Sequence, residues 1–191
     1  MQPLILASNS PRRKELLRQA GISFVADPAD IDERLFPGEP PEVYALRVAR
    51  EKALVAARKS KKGTVVAADT IVVLDEAVMG KPVDARDAER MLVQLSGRMH
   101  RVLTGLVVMD AASERMLART AETNVWFRTL TQEDIRAYAA SGEPLDKAGA
   151  YGIQEKGALL VERIEGCYFN VVGLPLSLLA GMLAEFGIPT F

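Results

Sequence analysis

The sequence holds a single cysteine, Cys167, and a single histidine, His100, among 191 residues. A lone cysteine excludes an internal disulfide, and a lone histidine cannot supply the histidine-rich ligand sets of many zinc centres. A zinc site and a Ser-His-Asp triad would compete for the same imidazole, so the sequence argues against both. We interpret His100 as a structural residue that opens a strand and Cys167 as a small strand residue.

Excess positive charge and long apolar runs are also missing. Lys and Arg total 24 against 25 for Asp and Glu, a net charge of -1 that argues against binding nucleic acid polymers through a basic face. The longest apolar stretch, 171–184, is interrupted by Pro175 and is shorter than the roughly 20 residues that cross a bilayer. The first residues lack the pattern of a secretory signal. We therefore expect a cytoplasmic protein without a membrane partner.

What the sequence does contain is alternating strand and helix patterns, which predict a single α/β domain over residues 1–191. Strands are predicted at 4–7, 23–26, 64–68, 71–74, 102–109 and 125–130, with two more in 158–172 that turn at Glu165-Gly166. Helices are predicted at 11–20, 42–62 and 84–95, after Thr131, and from Pro175 onward. Segments 27–41 and 142–154 are predicted as loops.

The first polar cluster, Ser8-Asn9-Ser10-Pro11-Arg12-Arg13, lies between a predicted strand and the start of a helix. Ser10 is the predicted N-cap and Pro11 the first helical residue. Unpaired backbone amides at a helix start favour an anion, and two hydroxyls with two guanidiniums at that point indicate a phosphate cradle. The alternative is a capped surface helix whose arginines have no ligand.

A second cluster is acidic. Asp30, Asp32 and Glu33 lie in the first predicted loop, and Asp69 follows a buried strand. Carboxylates from separate elements could converge on Mg²⁺ or Mn²⁺. We interpret Asp30 as solvated, whereas Glu33 leaves both interpretations open. Asp69 is the stronger candidate because ligands gather beyond the carboxyl ends of strands in α/β sheets; its alternative role is that of a turn former.

Two lysines and one loop complete the polar positions. Lys52 borders the small apolar face of its predicted helix, and Lys81 stands between a glycine and a proline. Either lysine could bind a phosphate, or each could be an ordinary surface lysine. The loop 141–154 contains glycines that let a ligand approach the backbone, and Gln154 could offer it polar contacts. A plain connection is the alternative.

The polar segments described above, taken in their order along the chain, resemble the motifs of the Maf family. The resemblance rests on six motifs: Leu6-Ala7-Ser8-x-Ser10-Pro11-Arg12-Arg13, Glu51-Lys52-Ala53, Ala68-Asp69-Thr70, Gly80-Lys81-Pro82, the loop 141–154, and Asn170-Val171-Val172-Gly173-Leu174-Pro175. It spans nearly the whole chain. It implies a mixed α/β fold like that of inosine-triphosphate pyrophosphatases, in which a twisted sheet is flanked by helices and two lobes enclose a central cleft.

The resemblance also implies an activity and roles for the residues. Maf proteins are nucleoside-triphosphate pyrophosphatases, once described as septum-formation inhibitors, that release a monophosphate and pyrophosphate with a divalent cation. Asp69 would be the proton acceptor and, with Glu33, would form the metal and water site. Lys52 and Lys81 would be catalytic residues that hold phosphates. Ser8 and Arg13 would bind the substrate's phosphates.

Three further positions bear on the nucleobase. The branch that resembles 7-methyl-GTP pyrophosphatases is expected to have Trp, Gln and Glu where this chain has Arg12, Thr70 and Gln154. A cationic methylated guanine favours stacking and a carboxylate. A neutral uracil or thymine offers two carbonyl acceptors and one N–H donor, which an amide and a hydroxyl can satisfy. We therefore expect dTTP and UTP as substrates, with modified pyrimidine relatives included.

The resulting hypothesis is attack on the α-phosphorus by a metal-activated water, with Asp69 taking its proton and pyrophosphate leaving beside Arg13, Lys52 and Lys81. Two rivals stay open at this point. One is a nucleotide-binding regulator of septum formation and cell division with little turnover. The other is a phosphoryl or nucleotidyl transferase, against which the absence of a Gly-Lys-Ser/Thr loop counts. The sequence leaves open whether two chains form a homodimer.

Overall fold

The structure, a computed structural model, describes residues 4–190. Its elements in chain order are β1 (Leu4–Leu6), α1 (Pro11–Gln19), β2 (Val25–Ala26), α2 (Pro41–Ser60), β3 (Thr64–Leu74), β4 (Ala77–Met79), α3 (Ala85–Leu95), β5 (Met99–Asp110), β6 (Met116–Phe127), α4 (Gln132–Ala140), β7 (Val161–Glu165), α5 (Tyr168–Val172) and α6 (Leu176–Glu185). Across residues 4–190, no helix combines the length and apolarity needed to cross a membrane.

The strands form one mixed seven-stranded sheet in the order β2-β1-β3-β5-β6-β7, with β4 paired to β3. β1 is parallel to both β2 and β3, and its register pairs Ile5 with Val25 and with Val65. β4 and β7 run antiparallel to β3 and β6. The predicted mixed α/β class is therefore confirmed, whereas the single domain and the cleft stay predictions.

The chain divides into two compact units. The first unit contains the chain up to Asp69, Thr104–Ala121, and the chain from Gly173 onward. The second unit contains Thr70–Leu103 and Glu122–Val172. Because the boundaries fall inside β3, β5 and β6, each of these strands contributes residues to both units.

The first unit is built on close packing between α2 and the sheet. The buried face of α2 consists of small residues, including Ala45, Ala49, Ala53, Ala56 and Ala57. All of these alanines except Ala45 belong to one core cluster with Ile5, Val65 and Val107 of the strands. Gly105 of β5 allows the closest approach, because a Cβ atom there would lie 2.3 Å from the carbonyl oxygen of Ala45. Small side chains on both surfaces thus bring α2 close to the sheet.

The second unit has a core of larger side chains. The apolar face of α3 packs with residues of α4 and with the second-unit parts of β3, β5 and β6. Its members include Leu92, Leu95, Val102, Phe127 and Ile135. Asp84 caps α3 by accepting from the amide of Asp87, and Thr131 and Asp134 form a capping box on α4.

Two details of the predicted topology are wrong. β3 runs without a break through Asp69 and Thr70, so Asp69 lies within a strand and not at its end. The second strand predicted between 158 and 172 is the helix α5, and Cys167 precedes that helix. The helix is fixed by a distant contact, since the Asn170 side-chain amide donates to the carbonyl of Val102 and the hydroxyl of Thr123, each at 3.0 Å.

The close approach of α2 to β5 can be tested by substituting Gly105. Gly105→Ala is expected to lower the free energy of unfolding by about 1–3 kcal/mol, because the added methyl group would overlap the Ala45 carbonyl. Urea unfolding measures the change. Gly181→Ala is the control, since Gly181 is exposed in α6 with open space around it, and alanine there should stabilise by roughly 0.5–1 kcal/mol. Equal stability of the parent and Gly105→Ala would contradict the close contact.

Candidate functional site

The end of β1 and the start of α1 form the predicted anion-binding segment. Ser10 caps α1 by accepting from the amide of Arg13 at 3.4 Å, and Pro11 is the first helical residue, as predicted. The hydroxyl of Ser8 accepts from the amide of Ser10 at 3.2 Å. The first turn of α1 contains no acidic side chain. The positive end of the helix dipole therefore carries basic and hydroxyl groups alone, an arrangement that suits an anion.

Arg13 is the fixed positive charge of this segment. Its side chain is buried, and the guanidinium donates to the Ser8 hydroxyl at 3.1 Å and to the Gly173 carbonyl at 2.8 Å. Burial lowers the pKa of Arg13, while the negative charges of Asp69 and Glu33 act in the opposite direction. A guanidinium stays charged under all ordinary conditions. Its neighbour Arg12 is half-buried and lowers the Arg13 pKa further.

Lys52 joins two carboxylates within the first unit. Its ammonium lies 2.7 Å from Asp69 Oδ1 and 2.9 Å from Glu33 Oε1. The side chains of Lys52 and Asp69 are 9% and 10% exposed, whereas that of Glu33 is 54% exposed. Asp69 comes from β3, Lys52 from the alanine-rich face of α2, and Glu33 from the loop between β2 and α2. The ammonium neutralises Asp69, which explains how a carboxylate is accommodated within a buried strand.

The same carboxylates fit a divalent cation. The oxygens of Asp69 and Glu33 converge on one cationic group, and carboxylate oxygens are the ligands that Mg²⁺ and Mn²⁺ prefer. Between residues 4 and 190 there is no cluster of three or more His, Cys, Asp and Glu side chains suited to a metal. Mg²⁺ is commonly held by one or two carboxylates together with waters and substrate phosphates, so two protein carboxylates are sufficient for it.

Tyr44 is a site residue that the sequence analysis missed. Its hydroxyl donates to the backbone carbonyl of Glu33 at 2.6 Å. Burial raises the pKa of Tyr44, and the charges of Asp69 and Glu33 raise it further. In the sequence it is only one residue of a helix pattern, and nothing in its spacing signals a contact with the preceding loop.

The structure thus brings Ser8, Arg13, Glu33, Lys52 and Asp69 into one linked set within the first unit. Thr70, Lys81 and Gln154 belong to the second unit. Thr70 follows Asp69 on β3 and is half-buried. Lys81 is exposed just after β4, and Gln154 is half-buried in the loop before β7.

In the second unit, a glycine ties the Lys81 segment to the loop 141–154. The amide of Gly149 donates to the carbonyl of Gly80 at 3.0 Å. Gly149 has a φ of 70°, and a Cβ atom there would lie 2.9 Å from the methyl groups of Val72. Only glycine combines this backbone conformation with so close a contact. The segments that carry Lys81 and Gln154 are therefore joined through their backbones.

The loop 141–154 is also held from inside the second unit. The Glu143 carboxylate accepts from the Tyr138 hydroxyl at 3.0 Å and from the Gly157 amide at 3.2 Å. Short 3-10 turns at Glu143–Asp146 and Ala148–Ala150 give the loop its path, and a third turn at Glu155–Leu160 follows it. The loop also has hydrogen bonds of its own, among them Lys147 Nζ to the Glu143 carbonyl and the Ala150 amide to the Lys147 carbonyl.

His100 is buried behind this loop, as its predicted structural role requires. It is 1% exposed, and its Nε2 lies 2.7 Å from the Tyr151 hydroxyl. Its ring is edge-on to Phe127 at 5.1 Å between centroids. Nδ1 has no hydrogen-bond partner in the described part of the chain. Burial lowers the pKa of His100 to about 4, so the imidazole is neutral near neutral pH.

Comparisons with known proteins identify the fold and the family. The fold resembles that of a HAM1 protein from Coxiella burnetii, with a TM-score of 0.52 and 19% identity over 97% of this chain and 100% of that chain. The predicted inosine-triphosphate-pyrophosphatase-like fold class is confirmed at this level. The fold and site thus define a mixed α/β protein with a buried arginine at a helix start and two carboxylates on one lysine.

The family follows from the sequence itself. The model of the Maf family, described as Maf-like protein, matches residues 3–186, and the chain belongs to this family. A protein from Syntrophomonas wolfei named dTTP/UTP pyrophosphatase is 52% identical over 95% of this chain and 96% of its own length. A protein of the same name from Geotalea uraniireducens is 50% identical over 96% and 95%. The resemblance that the motifs indicated is confirmed.

The buried imidazole makes stability depend on pH. The pKa of His100 is about 4 in the folded chain against 6.5 for an ordinary histidine, so the unfolded chain binds more protons between these values. This contribution to stability is complete above the unfolded pKa and is lost as the pH falls towards the folded one. We expect a loss of about 2 kcal/mol between about pH 7 and about pH 5.

The measurement is urea unfolding at both pH values for the parent and His100→Gln, which keeps a polar contact for Tyr151 but does not titrate. The variant should lack this component of the pH dependence, whatever its absolute stability. An identical pH dependence of the two proteins would contradict the buried neutral imidazole.

Proposed function

We propose that this Maf protein is a nucleoside triphosphate pyrophosphatase that hydrolyses dTTP and UTP to the monophosphate and pyrophosphate. The observation that carries the proposal is the set formed by Arg13, Lys52, Asp69 and Glu33, in which fixed cations stand beside paired carboxylates. Relatives about half identical to this chain over nearly the full length carry the name dTTP/UTP pyrophosphatase, which supports hydrolysis over a purely regulatory role. A cytoplasmic location is part of the proposal.

Binding of the triphosphate is assigned to the cationic and hydroxyl groups. The Ser8 hydroxyl and the amides at the start of α1 can donate to phosphate oxygens. Arg13 donates to the Gly173 carbonyl, so its guanidinium is already oriented and loses little conformational entropy when a phosphate binds. Lys52, and Lys81 from the second unit, would add positive charge that stabilises the pyrophosphate as it leaves. Modified pyrimidine triphosphates would bind by the same groups.

Proton transfer is assigned to Asp69. In the proposed reaction water attacks the α-phosphorus, Asp69 accepts its proton, and the bond to the bridging oxygen of the pyrophosphate breaks. Asp69 and Glu33 would hold a divalent cation such as Mg²⁺ or Mn²⁺. When bound, that cation supplies charge neutralisation on the phosphates and a more acidic water. No step needs a covalent enzyme intermediate.

The function is tested by product analysis on the parent and on Asp69→Asn. With dTTP or UTP and Mg²⁺ or Mn²⁺, the parent should release pyrophosphate and free monophosphate in equal amounts. The kcat of Asp69→Asn should be lower than that of the parent by on the order of 10²-fold or more, because the proton acceptor is lost. Chromatography of the nucleotides and a pyrophosphate assay measure both.

Asp30→Asn is the matched control, since Asp30 is an exposed aspartate of the same loop as Glu33 and should leave kcat near that of the parent. A folded Asp69→Asn protein with near-normal turnover would remove Asp69 from its role. Release of a diphosphate with inorganic phosphate, or transfer to an acceptor other than water, would overturn the proposed reaction.

The nucleobase preference is assigned to Gln154, Thr70 and Arg12. Gln154→Ala should reduce the preference for dTTP and UTP over CTP, GTP and ATP by about 10-fold, because one hydrogen-bonding partner of the pyrimidine is removed. The ratios of kcat/KM across these five triphosphates measure it. Gln132→Ala is the control, since Gln132 is an exposed glutamine of α4 in the same unit. An unchanged preference in Gln154→Ala would contradict the assignment.

A further inference from the structure

The loop between β2 and α2 carries Glu33 into the site but has little burial of its own. Residues 32–38 are all exposed, and they contain no helix or strand. Glu33 nevertheless places its carboxylate 2.9 Å from Lys52. An exposed irregular segment holds such a geometry only if other contacts fix it.

Arg47 of α2 supplies most of those contacts. Its guanidinium forms a two-point ion pair with Glu39, with Nε to Oε1 at 2.6 Å and Nη2 to Oε2 at 2.9 Å. The same Nη2 donates to the Arg34 carbonyl at 3.0 Å. Nη1 donates to Glu51 of α2 at 3.1 Å. One side chain thus binds the loop at two points and is itself held by its own helix.

Arg47 also makes the aromatic contact between α2 and the loop. The Arg47 guanidinium lies 4.2 Å from the ring centroid of Phe36, a loop residue, and the Phe36 amide donates to Glu39 at 3.2 Å. Stacking of this kind favours arginine over lysine. Side-chain exposure is 19% for Arg47 and 8% for Glu39, so the pair is well shielded from water. The Arg47 hydrogen bond lowers the pKa of Glu39, which keeps the pair charged near neutral pH.

The contacts of Arg47 flank Glu33 on the carboxyl side of the loop. The Arg34 carbonyl belongs to the residue directly after Glu33, and the Tyr44 hydroxyl binds the carbonyl of Glu33 itself. On the amino side, Asp32 pairs with Arg34 within the loop itself, and the ion pair that ties this side to α2 is that of Asp27 with Lys59 on the protein surface. The position of the Glu33 carboxylate therefore depends chiefly on Arg47 and Tyr44.

We propose that Arg47 is a positioning residue that fixes the loop 27–40 on α2 and thereby sets the Glu33 carboxylate against Lys52 and Asp69. The proposal rests on the proposed function for its kinetic part. It assigns Arg47 no contact with substrate. Its role requires the planar two-point fork and not merely a positive charge.

The first measurement is hydrogen exchange of the loop amides, which requires no nucleotide. In Arg47→Gln, the amides of Arg34, Phe36 and Glu39 should exchange faster than in the parent, while the amides of β3 remain protected. Arg47→Lys should give a smaller change, since it keeps the charge without the fork. Arg50→Gln is the matched control because Arg50 is an exposed arginine on the same helix. Unchanged loop protection in Arg47→Gln would overturn the proposal.

The second measurement is a kinetic cycle with Glu33→Gln on dTTP hydrolysis. Arg47→Gln alone should reduce kcat/KM by up to about 10²-fold, as a small displacement of a site group can. In the Glu33→Gln background the same change should cost no more than about twofold, because the group that Arg47 positions is already lost. A merely structural role would give equal losses in both backgrounds, and that result would overturn the proposal.

Two further results are decisive. Full activity of Arg47→Lys would show that charge alone suffices and would contradict the role of the fork. If Arg47→Gln is unfolded, Arg47→Lys carries both measurements, with loop exchange and the cycle judged by the same criteria. If the parent releases no pyrophosphate from any triphosphate, the proposed function fails, and the exchange result alone decides whether Arg47 holds the loop.

Discussion

The Lys52 ammonium, held at 2.7 Å from Asp69 and 2.9 Å from Glu33, is the interaction on which the site depends. Removing an ammonium from water costs several kcal/mol, and removing a carboxylate costs as much, so each is tolerated at this depth only beside the other. The three charges come from a strand, a helix and a loop. The pairing therefore fixes the relative positions of α2, the loop 27–40 and the part of β3 that ends at Asp69. All three belong to the first unit.

Close packing makes that pairing geometrically attainable. The Lys52 ammonium lies 2.7 Å from Asp69 of the sheet, and α2, which carries Lys52, packs close to the sheet surface. The alanines of α2 and the missing side chain at Gly105 provide that approach, which larger apolar residues would prevent. The ion pairs of Lys52 thus depend on alanines and a glycine that take no part in them. Two arginines then have different roles: Arg13 is a fixed charge that interacts electrostatically with Asp69 and Glu33, and Arg47 binds the loop.

Local patterns predicted much of this molecule because many of its signals are local. The Ser10 cap, the Thr131 capping box and the helical period of α2 depend on residues a few positions apart. The errors came from distant partners. Asp69 resembles a strand terminator until Lys52 is known to neutralise it, and Tyr168–Val172 resembles a strand until Asn170 is seen to bind Val102 and Thr123. Tyr44 and Arg47 gave no signal in the sequence, because both bind a loop whose residues follow neither a helical nor a strand pattern.

The backbone bond between Gly149 and Gly80 bears on how this protein can diversify. A loop anchored to a neighbouring segment in this way cannot be lengthened or shortened without displacing the lysine beside the anchor. Under the proposed assignment of Gln154 to the nucleobase, a change of preference would come from exchanging that side chain and not from changing the length of the loop. Insertions, which surface loops commonly accept, would here disturb the bond between Gly149 and Gly80 and the position of Lys81 with it.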